Sequence, residues 1–477
     1  MRWTLLQISE PMQGAPGEKL DPLARVAGYS IDSRTIRAGE LFFAIHGPSH
    51  DGHDFVEAAL GRGALAAVVS ASRARRFADT LRSLSIVVDD TLLALHQLAQ
   101  AMRKSWGKKI AGVTGSVGKT TTKEILAALL GTKLRVLKSE GNFNNAYGLP
   151  LTLFKLEEEH DAAVLEMGMS RRYELQELAG IAKPDVGVVT RVAPAHLEFF
   201  ASVEEIALAK RELIEGLNGP NSVAVLNADD PLVAAFASHA PGQVLTYGIE
   251  HGADFRAEEI EDRGALGSTF TVVSNGKRTR LELALPGRHV ISNALASLAA
   301  ASVWGIGAVE AQNVFRSLHA PSMRGEILRF SNGAALINDS YNSSPAALHA
   351  MIRVLAATPS FRRKILAAGE MRELGATSGE LHRAAGKLAA EAKIDWVVGV
   401  AGDATQIVEG AVAAGIPRSQ TRVFSSPDEA ANFLGDFVAP GDLLLVKGSR
   451  GVKMERVVEK LISIYAPELA GVGKASH

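Results

Sequence analysis

The sequence contains no cysteine in 477 residues. This absence excludes disulfides, cysteine-ligated zinc, iron–sulfur clusters and cysteine nucleophiles. It also has almost no net charge, because 51 Lys and Arg residues are balanced by 52 Asp and Glu residues. Proteins that bind nucleic acid generally carry a basic excess, so this balance argues against nucleic acid as a partner.

Long apolar runs are missing as well. No uninterrupted apolar segment reaches about 18 residues, the length that predicts a membrane-spanning helix. The first residues carry Glu10 and other polar side chains, unlike the apolar core of a secretory leader. We therefore expect a soluble, cytoplasmic protein without membrane insertion.

The length and the order of apolar patterns predict an α/β protein of three domains, at roughly 150 residues each. Short apolar runs alternate with helical patterns over 1–106, which predicts a small mixed α/β domain. Continuous apolar strands alternate with helices over 107–318, the pattern of a parallel sheet covered on both faces, with a β excursion at 252–280. The same pattern over 319–477 predicts a Rossmann-like C-terminal domain, and the loop 321–325 is the expected hinge.

Residues 112–120 fit the phosphate-loop pattern G-x-x-x-x-G-K-[ST], between an apolar strand and an amphipathic helix. In this context Lys119 is expected to neutralise the β- and γ-phosphates of a nucleotide, and the Thr120 hydroxyl suits Mg²⁺. The predicted nucleotide-binding residues here are Gly115, Ser116, Val117, Gly118, Lys119, Thr120 and Thr121. A phosphate loop alone does not name a reaction, although the missing Asn-Lys-x-Asp signature disfavours a GTPase.

Three further residues follow the phosphate loop, and each has two interpretations. Glu166 ends a predicted strand, where it can hold nucleotide-bound Mg²⁺ or simply face solvent. His196 follows the next strand as a metal ligand or as a structural histidine. Lys210 falls on the apolar stripe of a helix that begins at Ser202, so it either snorkels or is modified, for example carbamylated by CO₂.

These motifs resemble those of the Mur ligase family, the ATP-dependent amide-forming enzymes of peptidoglycan precursor synthesis. The resemblance covers nearly the whole chain and is greatest to the members that add a D-alanyl-D-alanine dipeptide. The Asp-Asn-Pro-Arg motif of the members that add diaminopimelate is not found. The segments that carry the resemblance are 32–44, 51–55, 141–150, 287–294, 323–326, 339–345, 369–375 and 447–450.

The resemblance implies roles for individual residues. Thr120, Glu166 and His196 would bind two Mg²⁺ ions together with a carbamylated Lys210, and Lys119, His196 and Lys210 would be catalytic. Asn293 would recognise adenine, Arg324 the nucleotide phosphates and Asp339 the ribose. Ser33 and Arg34 would contact the uridine diphosphate, and Asn145 the muramyl substrate. The chain departs from the family pattern at Arg191, Val290, Ser343 and Ser344.

The implied activity is ATP-dependent addition of D-Ala-D-Ala to UDP-MurNAc-tripeptide through an acyl phosphate, by a monomer that uses ATP and Mg²⁺. The N-terminal domain would bind the UDP-sugar, the central domain ATP, and the C-terminal domain the incoming dipeptide while it closes on the nucleotide. Two alternatives in the same class are the ligase that adds the third peptide residue and a folylpolyglutamate-type ligase. A P-loop ATP-binding regulatory module is the alternative from another class.

Overall fold

The computed structural model describes residues 3–194 and 197–467 and arranges them around three sheets. The strands of these sheets lie within residues 15–88, 110–283 and 326–447. The predicted α/β fold class is thereby confirmed, while the domain borders at 106/107 and 318/319 stay predictions. Among the described helices, none has the length and apolarity needed to cross a bilayer.

The N-terminal sheet has five strands in the order β1-β5-β4-β3-β2, parallel except for β1. The strands are β1 (Ala15–Pro16), β2 (Gly28–Ser30), β3 (Glu40–Phe43), β4 (Ala66–Ser70) and β5 (Ser85–Val88). The helices are α1 (Leu5–Ser9), α2 (Val56–Gly61), α3 (Ala71–Ala74), α4 (Asp79–Ser83) and α5 (Thr91–Trp106). The long helix α5 begins where the Asp90 side chain accepts two backbone N–H groups, and it ends at Gly107 with φ 71°.

The central sheet has nine strands in the order β14-β13-β12-β11-β10-β9-β6-β8-β7. The strands are β6 (Ile110–Thr114), β7 (Val136–Lys138), β8 (Ala162–Glu166), β9 (Val186–Val189), β10 (Val223–Asn227), β11 (Gln243–Gly248), β12 (Phe255–Asp262), β13 (Ser268–Ser274) and β14 (Lys277–Leu283). The helices are α6 (Lys119–Leu130), α7 (Gly148–Leu153), α8 (Glu174–Ala182), α9 (Val203–Glu215), α10 (Pro231–Ala234), α11 (Arg288–Ala301) and α12 (Ala308–Ser317). Strands β6 to β12 are parallel, and β13 and β14 extend the sheet antiparallel, in the region of the β excursion predicted at 252–280.

Both faces of the central sheet are covered, as its continuous apolar strands predict. Every residue of β6, β8, β9 and β10 is buried. Helices α6 and α11 pack on one face, where the Ser297 hydroxyl of α11 donates to the Thr122 carbonyl of α6 at 3.1 Å. Helix α9 packs on the other face. Because β6 lies between β8 and β9, the carboxyl ends of these three strands meet at one edge.

The C-terminal sheet has six strands in the order β15-β16-β20-β17-β18-β19, parallel except for β15. The strands are β15 (Glu326–Arg329), β16 (Ala335–Asp339), β17 (Arg363–Gly369), β18 (Trp396–Val400), β19 (Thr421–Phe424) and β20 (Asp442–Lys447). The helices are α13 (Pro345–Ala357), α14 (Ser378–Glu391), α15 (Ala404–Ala413), α16 (Pro427–Phe437) and α17 (Glu455–Ile464). Separate apolar cores line its two faces.

The turn between β12 and β13 joins the central sheet to the C-terminal unit. The Ala265 N–H donates to the Thr358 hydroxyl at the end of α13 at 2.8 Å, and this hydrogen bond is buried. Gly264 has φ 60°, and a Cβ there would lie 2.6 Å from the Thr358 nitrogen. The close approach therefore requires glycine at this position.

Candidate active site

The phosphate loop between β6 and α6 is held by the end of the neighbouring strand β9. A Cβ on Gly115 would lie 1.8 Å from the Thr190 hydroxyl oxygen, so only glycine fits. That hydroxyl donates to the Val117 carbonyl at 2.6 Å, and the Ser116 N–H donates to the Arg191 carbonyl at 2.7 Å. The loop is therefore preformed around the space where phosphates bind.

Lys119 is the first residue of α6 and points back over the loop. Its ammonium donates to the Gly115 carbonyl at 2.7 Å. Burial lowers the pKa of Lys119 from its usual value, and the nearby Arg324 lowers it further, whereas the Glu166 carboxylate opposes both. A phosphate group bound in the loop would give this ammonium a negatively charged hydrogen-bond partner.

Oxygen ligands converge beside the loop at the end of β8. The buried Glu166 carboxylate accepts from the Thr120 hydroxyl at 2.8 Å and from the Asn144 amide at 3.0 Å. Hydroxyl and carboxylate oxygens are the ligands that Mg²⁺ prefers when phosphates and water complete its octahedron. The described residues contain no group of three or more His, Asp or Glu side chains that could hold a metal. Thr120 and Glu166 thus supply two oxygen atoms that suit a nucleotide-bound Mg²⁺.

Lys210 lies on α9, which begins where the Ser202 hydroxyl accepts the Glu205 N–H at 3.3 Å. The residue is 3% exposed, and no described residue accepts a hydrogen bond from its ammonium. Burial lowers the pKa of Lys210 well below 10.5, and the charge of Lys119 lowers it further. At this exposure the Lys210 ammonium does not snorkel to solvent, and Lys210 is not among the residues that line the cavity described below. His196 lies outside the described residues.

A cavity of about 1480 Å³ separates the phosphate loop from the C-terminal unit. On its far wall the Arg324 guanidinium stacks 4.1 Å from the Tyr341 ring centre. The buried Lys447 ammonium donates to the Asp339 carboxylate at 2.6 Å and to the Asn342 carbonyl at 2.8 Å. The two walls thus present cations from opposite sides.

Most of the predicted site residues meet at this cavity. Those that line it are Ser116, Val117, Gly118, Lys119, Thr120, Thr121, Asn145, Glu166, Asn293, Arg324 and Asp339. Asn293 packs against Gly118, where its amide oxygen would lie 2.5 Å from an added Cβ. Gly115 and Lys210 lie outside the lining.

The predicted UDP contacts lie apart from the cavity, in the N-terminal unit. Ser33 is half-buried and Arg34 is exposed. The Arg34 guanidinium binds the Asp32 carboxylate with two hydrogen bonds of 2.9 and 2.7 Å, which lower the pKa of Asp32 to about 2. This part of the prediction therefore concerns a second, separate surface.

Three residues of the site had no assigned role in the sequence analysis. Asn144 fixes Glu166, Lys447 fixes Asp339, and Tyr341 stacks on Arg324. All three fall within motifs that the resemblance singled out, but their pairing joins residues 22, 108 and 17 positions apart. Such pairings follow from the topology of the sheets.

Three family models match the chain in order. The Mur ligase family catalytic domain matches residues 25–103, the Mur ligase middle domain 113–301 and the Mur ligase glutamate ligase domain 323–450. A curated relative, the UDP-N-acetylmuramoyl-tripeptide–D-alanyl-D-alanine ligase of Bacillus subtilis, is 34% identical over 96% of this chain and 98% of its own length.

Solved structures agree with these matches. MurF from Acinetobacter baumannii superposes with a TM-score of 0.88 at 28% identity, over 97% of this chain and 99% of that one. The MurF ligase from Thermotoga maritima in complex with ADP superposes with a TM-score of 0.79 at 30% identity, over 92% of this chain and 97% of that one. The resemblance read from the motifs is thus confirmed at the level of sequence and of structure.

Proposed function

Since this chain belongs to the Mur ligase family, we propose that it is an ATP-dependent amide ligase that adds D-Ala-D-Ala to UDP-MurNAc-tripeptide. The product is the UDP-MurNAc-pentapeptide precursor of peptidoglycan. One observation carries the proposal: a relative named for this reaction aligns over 96% of the chain, and the phosphate loop lies inside the aligned length.

The reaction has two balanced steps. The terminal carboxylate of the tripeptide attacks the γ-phosphorus of ATP, so a P–O bond forms and the bond to ADP breaks. The amine of D-Ala-D-Ala then attacks the acyl carbon, the C–O bond to phosphate breaks, and the amine loses a proton. Both steps develop negative charge that Lys119 and the N-terminus of α6 stabilise.

Mg²⁺ fits the oxygen atoms of Thr120 and Glu166, where the two side chains already lie 2.8 Å apart. When bound there, the ion would act as a Lewis acid and template for the phosphates. Asn144 orients the Glu166 carboxylate from its other oxygen at 3.0 Å. A second ion would involve His196 and a modified Lys210.

Carbamylation of Lys210 fits its environment. Carbamate formation requires the neutral amine, and burial together with the charge of Lys119 lowers the pKa of Lys210 well below 10.5. The ammonium has no acceptor among the described residues, so the uncharged form is the one that this site favours. The carbamate would convert the buried amine into an anionic oxygen ligand.

We assign the remaining predicted residues to binding. Asn293 would contact the adenine, Arg324 the phosphates and Asp339 the ribose, while Ser33 and Arg34 would hold the uridine diphosphate and Asn145 the muramyl peptide. Residues 1–106, 107–318 and 319–477 would then bind the UDP-sugar, ATP and the dipeptide respectively. One chain supplies every one of these groups, so we propose that the protein works as a monomer. We also propose that it works in the cytoplasm, because its substrate ATP is present there.

Amine-donor selectivity tests the proposal. The protein is incubated with ATP, Mg²⁺ and UDP-MurNAc-tripeptide, and D-Ala-D-Ala, diaminopimelate or glutamate is supplied separately. We expect phosphate release and an extended product with D-Ala-D-Ala alone. A parallel incubation replaces the tripeptide by UDP-MurNAc-dipeptide, and release there with diaminopimelate would identify the third-residue ligase. Release with glutamate alone would point to a folylpolyglutamate-type ligase.

Isotope transfer tests the acyl phosphate. With ¹⁸O in the terminal carboxylate of the tripeptide, the released phosphate carries one ¹⁸O atom, because the acyl C–O bond breaks in the second step. A regulatory ATPase would instead hydrolyse ATP without an acceptor and without ¹⁸O in phosphate. That outcome would refute the ligase mechanism.

A further inference from the structure

The residue that follows strand β9 by two positions, Arg191, is fixed against the phosphate loop through its backbone. Its carbonyl accepts the Ser116 N–H at 2.7 Å, and the preceding Thr190 hydroxyl closes over Gly115. The Arg191 backbone is therefore in contact with the first turn of the loop, and its position is set by the same bonds that set the loop.

The Arg191 side chain is exposed and lines the cavity. Within residues 3–194 and 197–467, no hydrogen bond or ion pair engages its guanidinium. Two other arginines of the same cavity are paired with carboxylates: Arg171 binds Glu174 at 3.0 Å, and Arg288 binds Glu250 at 2.5 Å. The Arg191 guanidinium thus carries a positive charge at the edge of the phosphate site without a carboxylate partner among the described residues.

The carboxylates that follow the next strand, β10, have other partners. Asp229 accepts the backbone N–H groups of residues 249–251 at 2.6 to 3.0 Å. Asp230 accepts the Val192 N–H at 2.8 Å and caps α10. Neither carboxylate is therefore arranged to neutralise Arg191, so its guanidinium stays open to a bound anion such as a phosphate.

We propose that the Arg191 guanidinium binds the β–γ end of the nucleotide triphosphate, as a further cation beside Lys119. The inference rests on the proposed function, which places ATP in the loop. We assign the guanidinium to the β–γ end because Lys119 is the lysine expected at the β- and γ-phosphates. The Lys119 ammonium donates to the Gly115 carbonyl at 2.7 Å, one residue from the Ser116–Arg191 hydrogen bond. A planar guanidinium can bind two phosphate oxygens at once, which a compact ammonium cannot.

The test compares binding of a β,γ-methylene ATP analogue and of ADP to the full chain with Mg²⁺, by calorimetry. Arg191→Gln should weaken analogue binding by about tenfold or more, the size of a lost charge-assisted hydrogen bond, and ADP binding by less. Arg191→Lys should recover part of the loss. Arg171→Gln is the matched control, because that arginine lines the cavity but is already paired, and it should change the analogue-to-ADP affinity ratio little.

Thermal unfolding of each variant shows whether the fold is intact, so that a binding loss is assigned to the side chain. An unchanged analogue-to-ADP ratio in Arg191→Gln overturns the inference, as does an equal change in Arg171→Gln. These outcomes leave the proposed function untouched if the unsubstituted protein still forms the pentapeptide. Failure of the unsubstituted protein to form that product would count against the proposed function alone.

Discussion

The N-terminal and C-terminal units are attached to the central sheet in different ways. The N-terminal unit shares a continuous apolar core with one face of the central sheet. The Phe154 ring after α7 lies 4.3 Å from the Tyr29 ring of β2, and the Trp106 indole donates to the Glu157 carbonyl at 3.0 Å. The C-terminal unit instead has its own two cores.

The central and C-terminal units meet at small contacts. Ala265 packs into the C-terminal core and bonds to Thr358, and the Glu198 N–H donates to the Glu373 carbonyl at 3.2 Å. The cavity with the phosphate loop is lined by residues of both units. The shared core therefore makes the N-terminal unit a rigid support for the central sheet, and we expect the C-terminal unit to turn about its fewer contacts and close the cavity. An acyl phosphate needs such a closing wall, because water would otherwise hydrolyse it.

The largest expected effect comes from the phosphate loop, on the wall of the cavity that the central sheet forms. Lys119→Ala removes the cation of the phosphate loop, so we expect the rate of amide formation to fall by about 10²–10³-fold or more. Binding of UDP-MurNAc-tripeptide should change little, because its predicted contacts lie on the N-terminal unit. Phosphate release and calorimetry measure the two quantities. Lys133→Ala, at an exposed lysine paired with Glu310 at 2.6 Å, is the control.

Lys210→Ala should also abolish most of the activity, since it removes the proposed carbamate. Added bicarbonate should not restore it, whereas short carboxylic acids should restore part of it by supplying the missing anion. Thermal unfolding of the variant shows whether the loss of this buried side chain disturbs the fold, because its methylene groups are removed together with the amine. Arg211→Ala is the control, because it changes the next residue of α9, a half-buried arginine that pairs with Glu215 at 2.8 Å. Full activity in Lys210→Ala would contradict the assignment.

Phe154→Ala tests the shared core directly. Loss of this ring should lower the free energy of unfolding by about 3–5 kcal/mol. Amide hydrogen exchange should then rise in both the N-terminal and the central sheet, because they share the damaged core. Leu355→Ala, at a fully buried position of α13, should raise exchange in the C-terminal sheet instead. A rise in exchange confined to the N-terminal sheet in Phe154→Ala would show that the two sheets do not share one core.

Thr358→Val tests the contact between the central and C-terminal units. The substitution keeps the shape but leaves the buried Ala265 N–H without an acceptor, at a cost of about 1–3 kcal/mol. We expect a wider distribution of domain arrangements in small-angle scattering, while hydrogen exchange within the central sheet stays unchanged. Unchanged scattering would mean that this turn does not hold the two units together.

The smallest effect is expected at Ser343, on the C-terminal wall. Its buried hydroxyl has no hydrogen-bond partner among the described residues. Ser343→Ala removes an unsatisfied polar group, so the free energy of unfolding should stay equal or rise by up to about 1 kcal/mol. Denaturant-induced unfolding of Ser343→Ala, with Ser344→Ala as the control, measures the change in free energy. A clear destabilisation of Ser343→Ala would show that the hydroxyl has a partner.

Local sequence predicted much of this structure. The phosphate loop, the strand that ends at Glu166 and the helix that begins after Ser202 follow from short patterns, because glycine, apolar runs and capping residues act within a few positions. The burial of Lys210 also follows from helical periodicity.

The parts that could not be predicted depend on distant residues. Lys447 pairs with Asp339 because β20 lies beside β16, and strand order is set by the packing of whole units. The unpaired state of Arg191 depends on which carboxylates have other partners. The attachment of the C-terminal unit through Ala265 and Thr358 joins residues 93 positions apart, with no local signal.

The most direct test of the account is mass spectrometry of a reaction that contains the protein, ATP, Mg²⁺, UDP-MurNAc-tripeptide and D-Ala-D-Ala. We predict a product heavier than the tripeptide precursor by one D-Ala-D-Ala minus one water, formed in equal amount to ADP and phosphate. ADP and phosphate without this product would contradict the account.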